Sequence, residues 1–464
     1  MKSGTSGQIH EKRKGITMKE KVGYGIASLG DTVVYDLPAY YGLYFMTEAA
    51  GLSSLSAGNV MSIASVWNAA AICIVGYLSD HHPLHGRRRI PYMKAAVIPM
   101  TAALVMFFTV TGLSGDAAGI YYAAVLMIVM TAHSFFMVPY ESMGGDLTVD
   151  HDERTALRSY VKFFMGLGSL AGISSLLPGL QIMQNIGLSE KHSWQAVVLT
   201  AAILSAVSGI ITCTVLKEEP IDAAEKRDKN AGIINVIKEY IDVLKLKPFL
   251  LLLLNCLLVI VASTFVNSGM AYFMQYNMGI SAGQKGVILV IVTLAGIAMT
   301  PFLARLSVRF DKKTVMICAY LIAGAGLLVF RLIGITSTFA LCIHMTIFTA
   351  GTSAYWQLFN AFVYDVRELD EVKNNRERGA VLLSASKIAV RLSSACGVQL
   401  LALLFFLSGY NQEASVQGPR LLHAAEAAMT TIPAVLFICA AICMIFYPLT
   451  RKVHAALVEQ LERR

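Results

Sequence analysis

Charge is scarce in this sequence. Of its 464 residues only 15% are Asp, Glu, Lys or Arg, whereas 56% are hydrophobic and mean hydropathy is +0.60. A soluble domain carries charge on roughly a quarter of its residues, so this chain belongs in a bilayer. The eight cysteines, Cys73, Cys213, Cys256, Cys318, Cys342, Cys396, Cys439 and Cys443, all lie within apolar segments and show no paired ligand spacing. They are expected to be reduced packing residues. No P-loop and no zinc motif occurs, so neither ATP hydrolysis nor metal catalysis is supported, and no cofactor is expected. No nucleophile and base can be placed together, which argues against an enzyme.

What the chain has in abundance is apolar length. Segments able to cross about 30 Å of hydrocarbon recur from residue 22 to residue 448, about twelve in all. The net charge of +8 is a matter of topology and not of nucleic acid, because the basic residues fall in alternate loops. Lys12, Arg13, Lys14, Lys19 and Lys21 precede the first span; Arg87, Arg88, Arg89, the Lys217–Lys247 segment, Lys312, Lys313, Lys373, Arg376, Arg378 and Arg451 follow in every second connection. Both termini are therefore expected to be cytoplasmic, in a multi-pass protein of the cell's inner (plasma) membrane. The polar start shows no short apolar core with a cleavage site, so no removable leader is expected.

The predicted organisation is a tail over 1–21, a six-helix bundle over 22–216, a cytoplasmic linker over 217–247, a second six-helix bundle over 248–448 and a tail over 449–464. In the linker, Ile233, Ile234, Ile237, Tyr240, Ile241 and Leu244 fall at helical spacing, which predicts an amphipathic helix on the inner membrane surface. The halves echo one another: Tyr140 to Thr155 follows the fourth span with Glu153-Arg154-Thr155, and Tyr364 to Gly379 follows the tenth with Glu377-Arg378-Gly379. Repeated bundles of this kind place a solute near the midplane, where the halves meet.

A charged side chain in mid-bilayer is costly and normally faces a cavity or a partner. Asp31, Asp36, Glu141, Lys162, Lys387 and Arg391 are the residues to explain. Asp31 lies one turn from Tyr35, and Asp36 one turn from Tyr40, so each acid shares a face with an aromatic ring. Coupling to a proton needs only one protonatable carboxylate, and Asp31 and Asp36 are the candidates; ion pairing with Lys162, Lys387 or Arg391 is the alternative. Glu141 is expected to pair with an arginine and hold a gate. Trp67, Asn68, Trp356 and Asn360 offer rings and amides for a polar solute, though interhelical bonds use the same residues. His133 and His344 are expected to be buried structural histidines. Asp80 with Arg87, Arg88 and Arg89, and Asp365 with Arg378, are expected to form cytoplasmic charge latches.

Gly76-Tyr77-Leu78-Ser79-Asp80 followed by Gly86-Arg87-Arg88-Arg89 resembles the loop motif of the major facilitator superfamily. Further matches are Met46-Thr47-Glu48-Ala49-Ala50-Gly51-Leu52-Ser53, Val138-Pro139-Tyr140-Glu141-Ser142-Met143, Leu147-Thr148-Val149-Asp150, Lys247-Pro248-Phe249 and Ser408-Gly409-Tyr410. Together they resemble the glycoside-pentoside-hexuronide:cation symporters over essentially the whole chain. The resemblance implies an all-α membrane protein of about twelve transmembrane helices in two pseudo-symmetric bundles, moving a small-molecule solute with a coupling cation, and a monomer is expected.

By the same resemblance the family's sugar-binding aspartate falls on Thr32, its fifth-span arginine on Lys162 and its eleventh-span lysine on Arg391. Its paired second-span carboxylates fall on Asn68 and Ile72, and its fourth-span aspartate on Met137. Sodium needs several oxygen ligands and these positions lack three carboxylates, so a proton is the expected ion and sodium is disfavoured. The leading expectation is symport of a sugar, glycoside or sugar acid by alternating access. The alternatives are a carrier of a less polar amphiphilic or aromatic solute, and a membrane sensor with this fold.

Overall fold

The structure, a computed structural model, describes residues 16–81, 87, 89–147, 151–218, 233–374, 378–411, 414, 416–451 and 453; Arg88 and the side chain of Asp80 lie outside this description. The first half comprises α1 (Met18–Gly25), α2 (Ala27–Tyr44), α3 (Ser54–His81), α4 (Ile90–Phe107), α5 (Gly115–Asp146), α6 (His151–Ser169), α7 (Ser175–Asn185) and α8 (Glu190–Val215). After α9 (Ile233–Leu244), the second half comprises α10 (Lys247–Tyr272), α11 (Ala282–Arg309), α12 (Lys312–Ile333), α13 (Thr338–Asn374), α14 (Gly379–Leu407), α15 (Pro419–Met429) and α16 (Thr431–Ile445). Single π-helical turns continue α2 (Phe45–Ala49), join α6 to α7 (Leu170–Ser174) and end α10 (Phe273–Asn277). Each half thus crosses the bundle six times, because α1 with α2, α6 with α7, and α15 with α16 are each one path with a local break. We call the end where α2 begins the near end and the other the far end.

The break between α15 and α16 has a chemical cause. Pro433 in α16 has no N–H for the carbonyl of Met429, one turn earlier. His344, fully buried on α13, places Nε2 3.2 Å from that carbonyl. The histidine is the structural one the sequence suggests.

Among the described residues ten stretches are long and apolar enough to span a membrane, and the paths of α1–α2 and α13 are not among them. Those two are comparably long but more polar: α2 carries Asp31, Asp36 and several tyrosines, and α13 carries Tyr355, Trp356, Gln357 and Asn360. Helices too polar to face lipid all round have to face a cavity or one another. α13 also continues without a break past Asp365 to Asn374, as a charged extension at the near end.

The halves meet along α3 and α14, α2 and α10, and α7 and α11. Two glycines make the first and last of these contacts possible. A Cβ on Gly58 would run into Ala402 of α14, and one on Gly286 would run into Pro178 of α7. α9 packs on α14 and α10, burying Val243 and leaving Ile241 and Leu244 exposed, the pattern of an amphipathic helix.

Candidate functional site

Between the halves lies a cavity walled by Tyr35 and Ala39 of α2, Ser65 and Asn68 of α3, Leu126 and Met130 of α5, Thr264 and Ser268 of α10, and Ser394 of α14. Hydroxyl groups from both halves therefore face one space. Asn68 is held in place: Ser134 Oγ donates to its Oδ1 at 3.1 Å, and its Nδ2 points at Met130 Sδ at 3.4 Å. Ser268 Oγ donates to the carbonyl of Ala39 at 2.9 Å, tying α10 to α2 across the interface. Ser65, Thr264 and Ser268 each donate the hydroxyl proton to a backbone carbonyl, so this wall presents mainly acceptor oxygens to a ligand, with Tyr35 as its aromatic surface.

The charged groups form three sets. His133 Nε2 and Asp31 Oδ1 are 2.6 Å apart, the His133 ring lies 5.5 Å from that of Tyr35, and the Arg391 guanidinium sits 4.0 Å over the Tyr35 ring. A carboxylate, an imidazole, a phenol and a guanidinium thus run in sequence from the first half to the second. Lys162 Nζ donates to Gln357 Oε1 at 3.0 Å, and Lys387 ion-pairs with Glu141; both contacts also cross between halves. Asp36, half-buried beside the cavity-lining Tyr35, makes no hydrogen bond or ion pair among the described residues, and Asp31 and Arg391 are its charged neighbours. Lys162 and Arg391 likewise have no carboxylate within ion-pair distance among the described residues. Beside the cavity, Asp36 and Arg391 therefore stand without a direct ion-pair partner among the described residues, and so does the exposed Lys162 between α6 and α13.

Residues 23–451 match the family described as MFS/sugar transport protein. The chain belongs to that family. It is 26% identical over 462 residues to the uncharacterized symporter YjmB of Bacillus subtilis (strain 168), covering 98% of this chain and 97% of the relative. It is 22% identical over 456 residues to the isoprimeverose transporter of Lactiplantibacillus pentosus, covering 97% and 92%. Among solved structures, one from a study of substrate recognition in proton-dependent oligopeptide transporters superposes with a TM-score of 0.68 over 97% of this chain and 100% of that one, at 11% identity. That likeness concerns the fold alone. The protein is a multi-pass membrane transporter of the sugar-type facilitator family and not an enzyme.

Within this transporter, the residues singled out by sequence fall into distinct places. Asn68 lines the cavity, and Asp31, Asp36 and Arg391 surround Tyr35 next to it. Tyr40 is half-buried one turn beyond Asp36. Trp67, 37% exposed, donates Nε1–H to Thr131 Oγ1 at 2.8 Å, bracing α3 on α5. Thr32 faces elsewhere: it is buried against Gly168 of α6 and donates to the carbonyl of Ser28 at 2.7 Å. Trp356 is 60% exposed and shares an exposed face of α13 with Asn360, outside the cavity wall.

The charge latches differ from expectation. Asp365 pairs with Lys312 of α12 at 2.6 Å, and Arg378 pairs with Asp370. Asp365 and Asp370 are five residues apart on α13 and so point to different sides of the helix. Both clamps lie within the second half. Glu141 pairs with Lys387 and not with an arginine. Arg87 is exposed, while the backbone N–H groups of Arg89 and Ile90 donate to the Glu218 carboxylate at 2.9 to 3.0 Å. Glu218 thereby serves the open N-terminus of α4, where a negative charge is favoured.

His133 is buried, as expected, and is the partner of Asp31 that sequence reasoning did not assign. One signal was available: His133, Met137 and Glu141 recur every four residues on one face of α5, and Asp31 and Tyr35 do the same on α2. That these faces oppose each other is visible only in three dimensions.

Proposed function

We propose that this transporter is a proton-coupled symporter that moves a sugar, glycoside or sugar acid by alternating access, with the near end cytoplasmic and the protein in the plasma membrane. The observation that carries the reading is Asp36, an acid beside a hydroxyl-lined cavity with no direct partner among the described residues. Such a carboxylate can take up and release a proton without breaking another contact. Asp31, bonded to His133, is the second proton-handling group. Cavity hydroxyls and Asn68 would meet the solute's hydroxyl groups. Arg391, stacked on Tyr35 without a carboxylate, and Lys162, held by a neutral amide, favour a solute that carries an acidic group. A related protein is named an isoprimeverose transporter, which supports a sugar-type solute.

One observation supports a second reading. Met61, Leu126 and Met130 give the first-half wall an apolar side, which would suit an amphiphilic or aromatic glycoside. The test is uptake by proteoliposomes offered sugars, sugar acids and aromatic glycosides under an inward acid gradient, a sodium gradient or none. Accumulation is expected under the acid gradient alone. Accumulation driven by sodium, or none with any solute, would overturn the proposal.

A further inference from the structure

The far end is closed by a contact between equivalent positions of the two halves. Tyr44-Phe45-Met46, four residues, then Gly51-Leu52-Ser53 at the end of α2 is matched at the same spacing by Tyr272-Phe273-Met274, four residues, then Gly279-Ile280-Ser281 at the end of α10. Both segments pass through a π-helical turn, Phe45–Ala49 and Phe273–Asn277. Both also close with the same backbone pattern: Ala50 N to Phe45 O and Leu52 N to Met46 O in one, Met278 N to Phe273 O and Ile280 N to Met274 O in the other.

These two turns touch. Tyr44 and its counterpart Tyr272 meet edge to face with ring centroids 5.3 Å apart. Glu48 and its counterpart Tyr276 are directly bonded, the Tyr276 hydroxyl donating to Glu48 Oε1 at 2.6 Å. Contact between like positions is what a two-fold relation produces at its axis. The sequence departs from symmetry at the decisive point, where one repeat has a carboxylate and the other a phenol. A second phenol completes the arrangement: Tyr410, after α14, donates to the same Glu48 Oε1 at 2.6 Å. Thr47 Oγ1 and Tyr272 OH, 2.6 Å apart, add another bond between the halves.

We propose that Glu48 is a positioning residue of the transport cycle, the bolt that holds the far end shut while the cavity is open to the other side. This inference rests on the alternating-access reading. Each half presents its part from a rigid base. Phe45 is buried against Phe107, Phe108, Tyr122 and Trp194, and Phe273 and Tyr272 are buried in the second half. A carboxylate acceptor makes both phenol bonds charge-assisted and hence strong, and the halves cannot part at this end without losing both. Because the two bonds share one oxygen, they are lost together. Glu48 is not among the residues that wall the cavity, so it acts on the route to the site and not on the solute.

The test is side-selective labelling of Ser65→Cys, a cavity position, in protein whose eight native cysteines are replaced by serine. A membrane-impermeant maleimide is applied from each side of the membrane in turn, with no solute present. With Glu48 intact, labelling is expected from one side only. With Glu48→Ala, or with Tyr276→Phe and Tyr410→Phe together, labelling from the second side is expected to rise at least about tenfold, a shift of about 1.4 kcal/mol in the equilibrium. The double phenylalanine variant leaves the charge in place, and retained labelling from the first side shows that each variant is folded. Glu48→Asp should restore protection in part. Unchanged second-side protection in both variants would overturn the role of Glu48 while leaving the carrier reading standing. Labelling of the intact protein from neither side, or equally from both, would instead overturn alternating access, and this inference with it.

Discussion

Replacing Asp36 by asparagine is expected to abolish accumulation driven by a pH gradient while leaving downhill solute exchange within a few-fold of the parent protein. One pH unit is worth about 1.4 kcal/mol, so a carrier moving one proton per solute can concentrate that solute about tenfold. Asparagine has nearly the shape of aspartic acid and keeps the wall of the site, but it cannot exchange a proton. The accumulation ratio should therefore fall from about ten to about one, measured with labelled solute in proteoliposomes, whereas counterflow without a gradient continues. Equal loss of counterflow and of accumulation would show that Asp36 serves binding and not coupling. The direction of the effect follows from position: Asp36 lies two residues before Pro38 inside α2 and neighbours Asp31 and Arg391 without bonding to either. Retention of driven accumulation by Asp36→Asn would pass the coupling role to Asp31 and His133.

The second large effect concerns stability. Asp370 receives Arg378 Nε at 2.8 Å and Nη2 at 2.6 Å, together with Asn374 Nδ2 at 2.7 Å. The side chains are 0% and 7% exposed, so this ion pair is removed from water. Its hydrogen bonds to Asp370 hold the Arg378 guanidinium above its ordinary pKa, and it stays charged if the acid is removed. Leaving a buried cation without its partner costs about 3–5 kcal/mol. Asp370→Ala should therefore lower thermal stability sharply, and Asp370→Asn, which keeps an acceptor, should lower it less. Lys245, 70% exposed where it pairs with Asp242, provides the contrast. Lys245→Ala should cost under about 1 kcal/mol, as surface pairs do. A thermal unfolding series on the three purified variants separates these cases, and equal losses for Asp370→Ala and Lys245→Ala would contradict the ranking.

These two residues also show how far the sequence could be read. Helix number and the division into halves follow from apolar segment length, because the bilayer imposes one dimension on every span. The extension of α13 to Asn374 escapes that logic, since nothing in a hydropathy pattern prevents a helix from continuing into water. Individual buried charges were equally visible, because each is anomalous in an apolar run. Their partners were not. Asp31 and His133, or Glu141 and Lys387, are brought together by helix packing between segments far apart in sequence, and no local period encodes it. The latch expected between Asp365 and Arg378 failed for a simpler reason: five residues on a helix turn a side chain to another face, towards Lys312. The Tyr-Phe-Met repeat at the far end is present in the chain, but four unlike residues interrupt each copy. Only the contact of Glu48 with Tyr276 shows what it is for.

The most direct measurement is lumenal pH in proteoliposomes at symmetric starting pH, recorded as solute is added outside. Solute entry should acidify the lumen in proportion to uptake, and Asp36→Asn should remove the acidification without stopping entry. Solute entry with no change in lumenal pH, or acidification that Asp36→Asn leaves intact, would contradict proton coupling through the acid beside the cavity.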